Sequence, residues 1–184
     1  SAVQASTVTL EPGLWSLSNF GEVLVATIAN GKTFTWNAGD AARLTTRAST
    51  TTSGFSTSAN PTATRVTLVS PTTRHLIHLG TETTIGDTAT QDNMFIRFSD
   101  QEDINDYTPT AINTAGTQSL QDGTKIMGAL KGNDSILVWT DNALYTMKFI
   151  GSPFTFGFEQ VGTNCGLIGK NAAVEIDGAA FWMS

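Results

Sequence analysis

ILVWTDNALYTMKFIGSPFTF, from Ile136 to Phe156, is written as a strand, a tight bend and a second strand. β-Branched and aromatic residues fill both arms, and Asp141-Asn142 at the bend are residue types that local turn hydrogen bonds favour. The plan recurs. GEVLVATIANGKTFTWNAGD (21–40) joins two β-rich runs through Asn30-Gly31, the strongest short hairpin signal because both residues tolerate positive φ. NAAVEIDGAAFWMS (171–184) bends in the same way at Asp177-Gly178. Three such hairpins predict an antiparallel architecture. Apolar residues rarely recur at helical spacing, and Thr, Val, Ile, Gly and Ser interrupt most windows, so little or no helix is expected.

A longer period lies over the hairpins. An aromatic followed by Ser or Thr and then Asp occurs as FSD at Phe98 and WTD at Trp139, with a degenerate WMS at Trp182, at spacings of 41 and 43 residues. Trp36 stands 62 residues before Phe98, but the intervening segment 45–64 has Ser or Thr at 12 of its 20 positions, and removing it leaves 42. Repeats of about 40–45 residues made of short antiparallel strands are the signature of β-propeller blades. The fold class predicted is therefore all-β, with antiparallel propeller-like blades belonging to a larger propeller. A β-sandwich is the runner-up, because aromatic strands recur in sandwiches too. Trp36, Phe98, Trp139 and Trp182 are the expected repeat core, and Asn30, Gly31, Asp141, Asn142, Asp177 and Gly178 the expected turns. Residues 1–184 read as one propeller-like unit with a Ser/Thr-rich loop inserted at 45–64. The chain begins without Met and stops in a strand-like run at Trp182, so a fragment of a longer chain is expected.

Composition narrows the chemistry. Charged residues make up only 14% of the chain, and no run approaches the roughly 18 consecutive apolar residues of a spanning helix. Lys32, Arg43, Arg47, Arg65 and Arg74 outnumber Glu11, Glu22 and Asp40 in the first 75 residues, so the net charge of −6 is concentrated in the remainder. Readers of DNA sequence normally carry a basic face, so an acidic chain argues against that role, though not against a surface past which DNA slides. The single cysteine, Cys165, leaves no internal disulfide and reads as a small semi-buried residue, because neither His75 nor His78 is near it in sequence.

Three clusters remain to be weighed. Asp100, Glu102, Asp103 and Asp106 lack the spacing of a calcium loop and read as a solvated turn after a strand, with metal binding or a carboxylate pair for glycoside hydrolysis as alternatives. His75 and His78, three apart in an expected strand, point to opposite faces and do not share a metal. GTNCGLIGKN (162–171) carries Gly162, Gly166, Gly169 and Lys170, but Asn171 follows the lysine where a phosphate loop needs Ser or Thr, so it reads as a connection between blades. No catalytic, cofactor-binding or metal residues are assigned. The chain is expected not to be an enzyme and to take no small-molecule ligand.

An ordered set of short motifs spans residues 65–184. Ser99-Asp100 ends a strand; a Tyr-x-Pro stretch (Tyr107–Pro109) and Asn113 with Ala115-Gly116 follow. Thr140-Asp141 then precedes Leu144-Tyr145, and Gly151 with Pro153 leads into Phe154 and Phe156. A Gly/Asn-rich link reaches Asp177-Gly178 and Phe181-Trp182. In this order the chain resembles the tail nozzle (tail tubular, or stabilisation) proteins of short-tailed bacteriophages. The resemblance implies a non-enzymatic virion protein with a propeller-like body, assembled in the host cytoplasm into a homo-oligomeric ring, generally a hexamer. Its implied partners are the tail adaptor and the tail fibre or spike proteins, and its channel retains and then releases DNA without sequence-specific binding. A non-viral binding or scaffold propeller and a carbohydrate-active enzyme using Asp100 and Asp103 are the alternatives.

Overall fold

A computed structural model describes residues 13–49 and 59–184. The described residues form antiparallel sheets with no α-helix; one 3₁₀ turn lies at Thr88–Thr90. Each sheet is a meander whose neighbours in space are neighbours in sequence. The first holds β1 (Trp15–Phe20), β2 (Val23–Ile28) and β3 (Thr33–Asn37). The second holds β4 (Thr64–Val69), β5 (Leu76–Thr81), β6 (Phe95–Phe98) and β7 (Gly116–Ser119). The third holds β8 (Ile126–Lys131), β9 (Ile136–Thr140), β10 (Ala143–Phe149) and β11 (Phe156–Thr163). The fourth is the hairpin of β12 (Ala173–Ile176) and β13 (Ala179–Trp182). Among the described residues no sheet closes on itself. Beyond β3, Ser49 exchanges both backbone hydrogen bonds with Thr35, which places chain where a fourth strand of the first sheet would lie.

The sheets stack face to face, and the alternation of side chains along each strand explains how. Thr67 and Val69 on β4 alternate with Val66 and Leu68; on β5, Leu76 and His78 alternate with Ile77 and Leu79. Val69 and Leu76 meet Val25, Phe20 and Ile104 on the side of the first sheet. Val66, Leu68, Ile77, Leu79, Ile96 and Phe98 meet Ile126, Ile136, Val138, Tyr145, Met147 and Phe156 of the third sheet. On β9 the pattern repeats, with Ile136 and Val138 facing the second sheet while Leu137 and Trp139 face Leu144, Leu167, Ala173 and Ala180. β5 is consequently buried along its whole length, which accounts for its nearly continuous apolar run.

The first strands set the order of the stack. β1 lies against β4, β4 against β8 and β8 against β12. The far ends of β1, β4 and β8 meet around one recess lined by Asn19, Val69 and Lys131, so these three strands run in the same direction.

Two of the three expected turns take a form of their own. Asp177 and Gly178 both have positive φ (50° and 79°) and form the expected two-residue turn between β12 and β13. At the second hairpin Asn30 has φ 59°, but the bend closes from Ile28 to Gly31, and Gly31 instead pairs with Thr64 of the second sheet. The turn thus sits one residue earlier than Asn30-Gly31 implied, because Gly31 is needed for that bridge. At Asp141-Asn142 neither residue has positive φ; the Thr140 hydroxyl holds the bend by accepting the N–H groups of Asn142 and Ala143.

The regular aromatic spacing does not mark equivalent places in the sheets. Trp36 and Phe98 lie on third strands, β3 and β6, whereas Trp139 and Trp182 lie on second strands, β9 and β13. Linkers of unequal length shift the register of sheet to sequence, so equal spacing conceals the change of strand. Of the insert 45–64, residues 50–58 lie outside the described residues; the rest belongs to the connection from β3 to β4 and to the start of β4 itself.

Phe156 sits between the second and third sheets, with ring centroids 4.9 Å from Phe98, 5.0 Å from His75 and 5.8 Å from Phe149. Phe156→Ala is expected to lower the free energy of unfolding by about 3–5 kcal/mol in urea titrations, whereas Phe154→Ala, two residues away and 70% exposed, changes it by less than about 0.5 kcal/mol.

Candidate functional site

Three features stand apart from the packed interior: the two end faces of the stack, a groove along the first strands, and a set of buried polar groups at the ends of the second sheet.

The end faces are apolar and, among the described residues, partly open. On the first sheet, the pairings Trp15↔Ile28, Leu17↔Ala26↔Phe34 and Leu24↔Trp36 put all seven side chains on one face. The opposite face carries Ser16, Ser18, Thr27 and Thr35, all buried, so it is the hydrophobic side that looks outward. Trp15 is 50% and Leu17 66% exposed. At the other end, Ala173 and Ala180 pack inward while Val174, Ile176 and Phe181 face out, each at least half exposed. Exposed apolar patches of this kind mark surfaces that meet something else.

The groove follows β1, β4 and β8 and has a volume of ≈ 430 Å³. Lys131 ends β8 and donates from Nζ to Ser18 Oγ at 2.7 Å; Lys170, in the connection between the third and fourth sheets, donates from Nζ to Ser16 Oγ at 2.7 Å. Among the described residues no Asp or Glu lines the groove. Burial without a neighbouring acid lowers the Lys170 ammonium to about 8 and lowers Lys131 in the same direction. The GTNCGLIGKN segment reaches this position because it is pinned to the Asp141-Asn142 turn. Cys165 N–H donates to Asn142 O, Leu167 N–H to Thr140 O, and Trp182 Nε1 to Cys165 O. A Cβ on Gly166 would come 2.1 Å from Asp141 O, which is why glycine stands there. Cys165 is half-buried, as its sequence context suggested.

The buried polar groups belong to the scaffold. Thr114 Oγ1 donates to Asp100 Oδ1 and accepts from Gln101 N–H, so at 3.0 Å from His75 Nε2 it accepts the ring proton there, and His75 Nδ1 accepts from Thr73 Oγ1 at 2.7 Å. His78 points to the other side of β5, with Nε2 3.0 Å from the Tyr107 hydroxyl and Nδ1 3.2 Å from Thr64 Oγ1. Asp103 and Asp106 accept backbone N–H groups two residues on, and Asp106 also accepts from Asn113 Nδ2 at 2.9 Å. The acidic cluster is thus a chain of Asx turns that folds the β6–β7 loop back onto His75. Glu82, fully buried, accepts from Thr62 N–H, Thr62 Oγ1 and Gly86 N–H, tying the end of the insert to the β5–β6 loop.

The proposed repeat residues serve different environments. Trp139 is fully buried, with its ring 5.7 Å from Trp182. Phe98 lies over Gly116, where a Cβ would come 2.5 Å from its ring. Trp36 is half-buried and donates its indole N–H to the carbonyls of Thr46 (3.0 Å) and Arg43 (3.3 Å). Sequence reasoning missed Ser16, Ser18 and Lys131: short polar residues and a strand-end lysine carry no local signal until the sheets bring them together.

No protein-family model matches the chain, and no curated protein is detectably similar to it.

Burial holds His75 at about 4, with Asp100 acting in the opposite sense, and burial aided by Arg97 holds His78 at about 3. An unfolded histidine titrates at about 6.5. Below that pH the unfolded chain takes up protons that the native rings refuse, so stability falls as pH drops toward about 4 and about 3. Asp100 and Asp141, held low by hydrogen bonds that outweigh desolvation, lose their contribution only as pH falls below the carboxylate range, so they do not mask the effect. Urea titrations are expected to show stability falling between pH 6 and 5 by up to about 1.4 kcal/mol per pH unit for each histidine, below a shallower fall around pH 8 where native Lys170 takes up its proton. His78→Gln reduces that slope while lowering stability at pH 7.

Proposed function

We propose that this chain is a structural subunit of a phage tail nozzle, its sheets being successive blades of a propeller-like body. The observation that carries the reading is the stack with two unlike apolar ends. Blades of a propeller are meanders whose first strands run side by side around an axis, and β1, β4, β8 and β12 have that order of contact. A stack with Trp15, Leu17 and Phe34 at one end and Val174, Ile176 and Phe181 at the other is suited to further sheets or to other copies joined head to tail. Head-to-tail contact between different faces generates a ring when the rotation closes. The motifs across residues 65–184 add the likeness to nozzle proteins, for which the ring is generally six-fold.

Charge fits the same role. The acidic β6–β7 loop carries Asp100, Glu102, Asp103 and Asp106 at the strand ends of the second sheet, and an acidic wall repels phosphates so that DNA passes without adhering. In this proposal the adaptor and the fibre or spike proteins meet the two ends of the ring, and the protein performs no catalysis.

Light scattering over a range of concentrations, paired with negative-stain images, tests the proposal. The expected result is concentration-dependent association giving particles with a central hole. Leu17→Asp and Phe181→Asp are each expected to reduce that association at least tenfold while shifting stability by less than about 0.5 kcal/mol, since both positions are more than half exposed. A chain that stays monomeric at every concentration removes the nozzle reading.

A further inference from the structure

We infer that the groove along β1, β4 and β8 is an oxyanion site that takes a phosphate group between the ammonium groups of Lys131 and Lys170. The inference does not depend on the nozzle reading. Ser16 and Ser18 lie two residues apart on the same face of β1, which separates them by roughly 7 Å. Each holds one lysine at 2.7 Å, so two ammonium groups from different parts of the chain converge on one strip of β1. Two charge-assisted bonds of roughly 2.8 Å on either side of a phosphate-sized ion bridge a gap of that order.

The surroundings favour an anion over any other occupant. Among the described residues no carboxylate lines the groove, so none of them gives either lysine an acidic counter-charge there. Each ammonium spends one of its three N–H groups on serine and keeps two for a ligand. Ser18 Oγ accepts from both Lys131 and Val69 N–H, which leaves its own proton to donate. Burial strips water from both ammonium groups, and an anion bonded to them restores part of the solvation they have lost. At ≈ 430 Å³ the groove also has room for a nucleoside attached to the phosphate, with Trp15 and Leu17 as an apolar border.

The test is isothermal titration of the full chain with inorganic phosphate and, separately, with adenosine monophosphate, at low ionic strength. Saturable one-to-one phosphate binding is expected, at least tenfold weaker in Lys131→Gln and in Lys170→Gln and lost in the double variant. Lys170→Arg, which keeps the charge, is expected to retain it. Equal affinity for the two probes assigns the site to free phosphate; tighter monophosphate binding assigns it to a phosphate carried on a nucleoside. Absence of saturable binding by the unmodified chain, or undiminished binding by a double variant with an unchanged melting curve, overturns the inference.

Discussion

Everything in this molecule depends on the burial of both faces of its two middle sheets. A β-strand offers one face to each side, and a sheet with two apolar faces is stable only when both are covered. β5 and β9 meet that condition, with Ile77, Leu79, Ile136 and Val138 turned toward the interface of the second and third sheets and Leu76 and Trp139 turned away from it. The requirement passes outward from there. The first sheet covers the second, the fourth covers the third, and each covering sheet in turn has an outer face that is apolar and, among the described residues, partly open.

The polar interior follows from the same packing. Once the sheets are pressed together, the loops at their ends cannot all reach water, and their hydrogen bonds must be met within the protein. His75, Thr114 and Asp100 do this for the β6–β7 loop, and Glu82 does it for the connection to β4. Such groups resemble functional constellations in a sequence. Here Asp100 accepts the Thr114 N–H and Glu82 accepts those of Thr62 and Gly86, backbone groups that would otherwise be stranded.

The sequence disclosed local pairing better than spatial equivalence. Asp177-Gly178 wrote its hairpin directly, since the two-residue turn needs positive φ at both positions and these residues supply it. Asn30-Gly31 marked the right hairpin but not the right bend, because Gly31 answers to Thr64 in another sheet, a partner no local rule can see. The spacing of Trp36, Phe98, Trp139 and Trp182 pointed to recurring meanders while misplacing their phase, since connections of unequal length separate sheets whose strands are alike. The lysine pair was invisible for a related reason: Ser16 and Lys170 lie 154 residues apart, and only the stacking of three sheets makes them neighbours.

Strand pairing confined to sequence neighbours gives the chain the energetics of a linear array. In such arrays the stability of the whole is close to a sum of unit stabilities and nearest-neighbour couplings, and order can spread from wherever the strongest coupling forms. The interface of the second and third sheets is the natural nucleus, because it holds the largest continuous cluster of buried side chains. Each meander can pair as soon as its own strands have left the ribosome, so contacts within a sheet are in place before the ones between sheets are required. The hairpin of β12 and β13, which brings only two strands to the array and meets the third sheet through Ala173, Ala180 and Trp182, is then the unit that opens most readily.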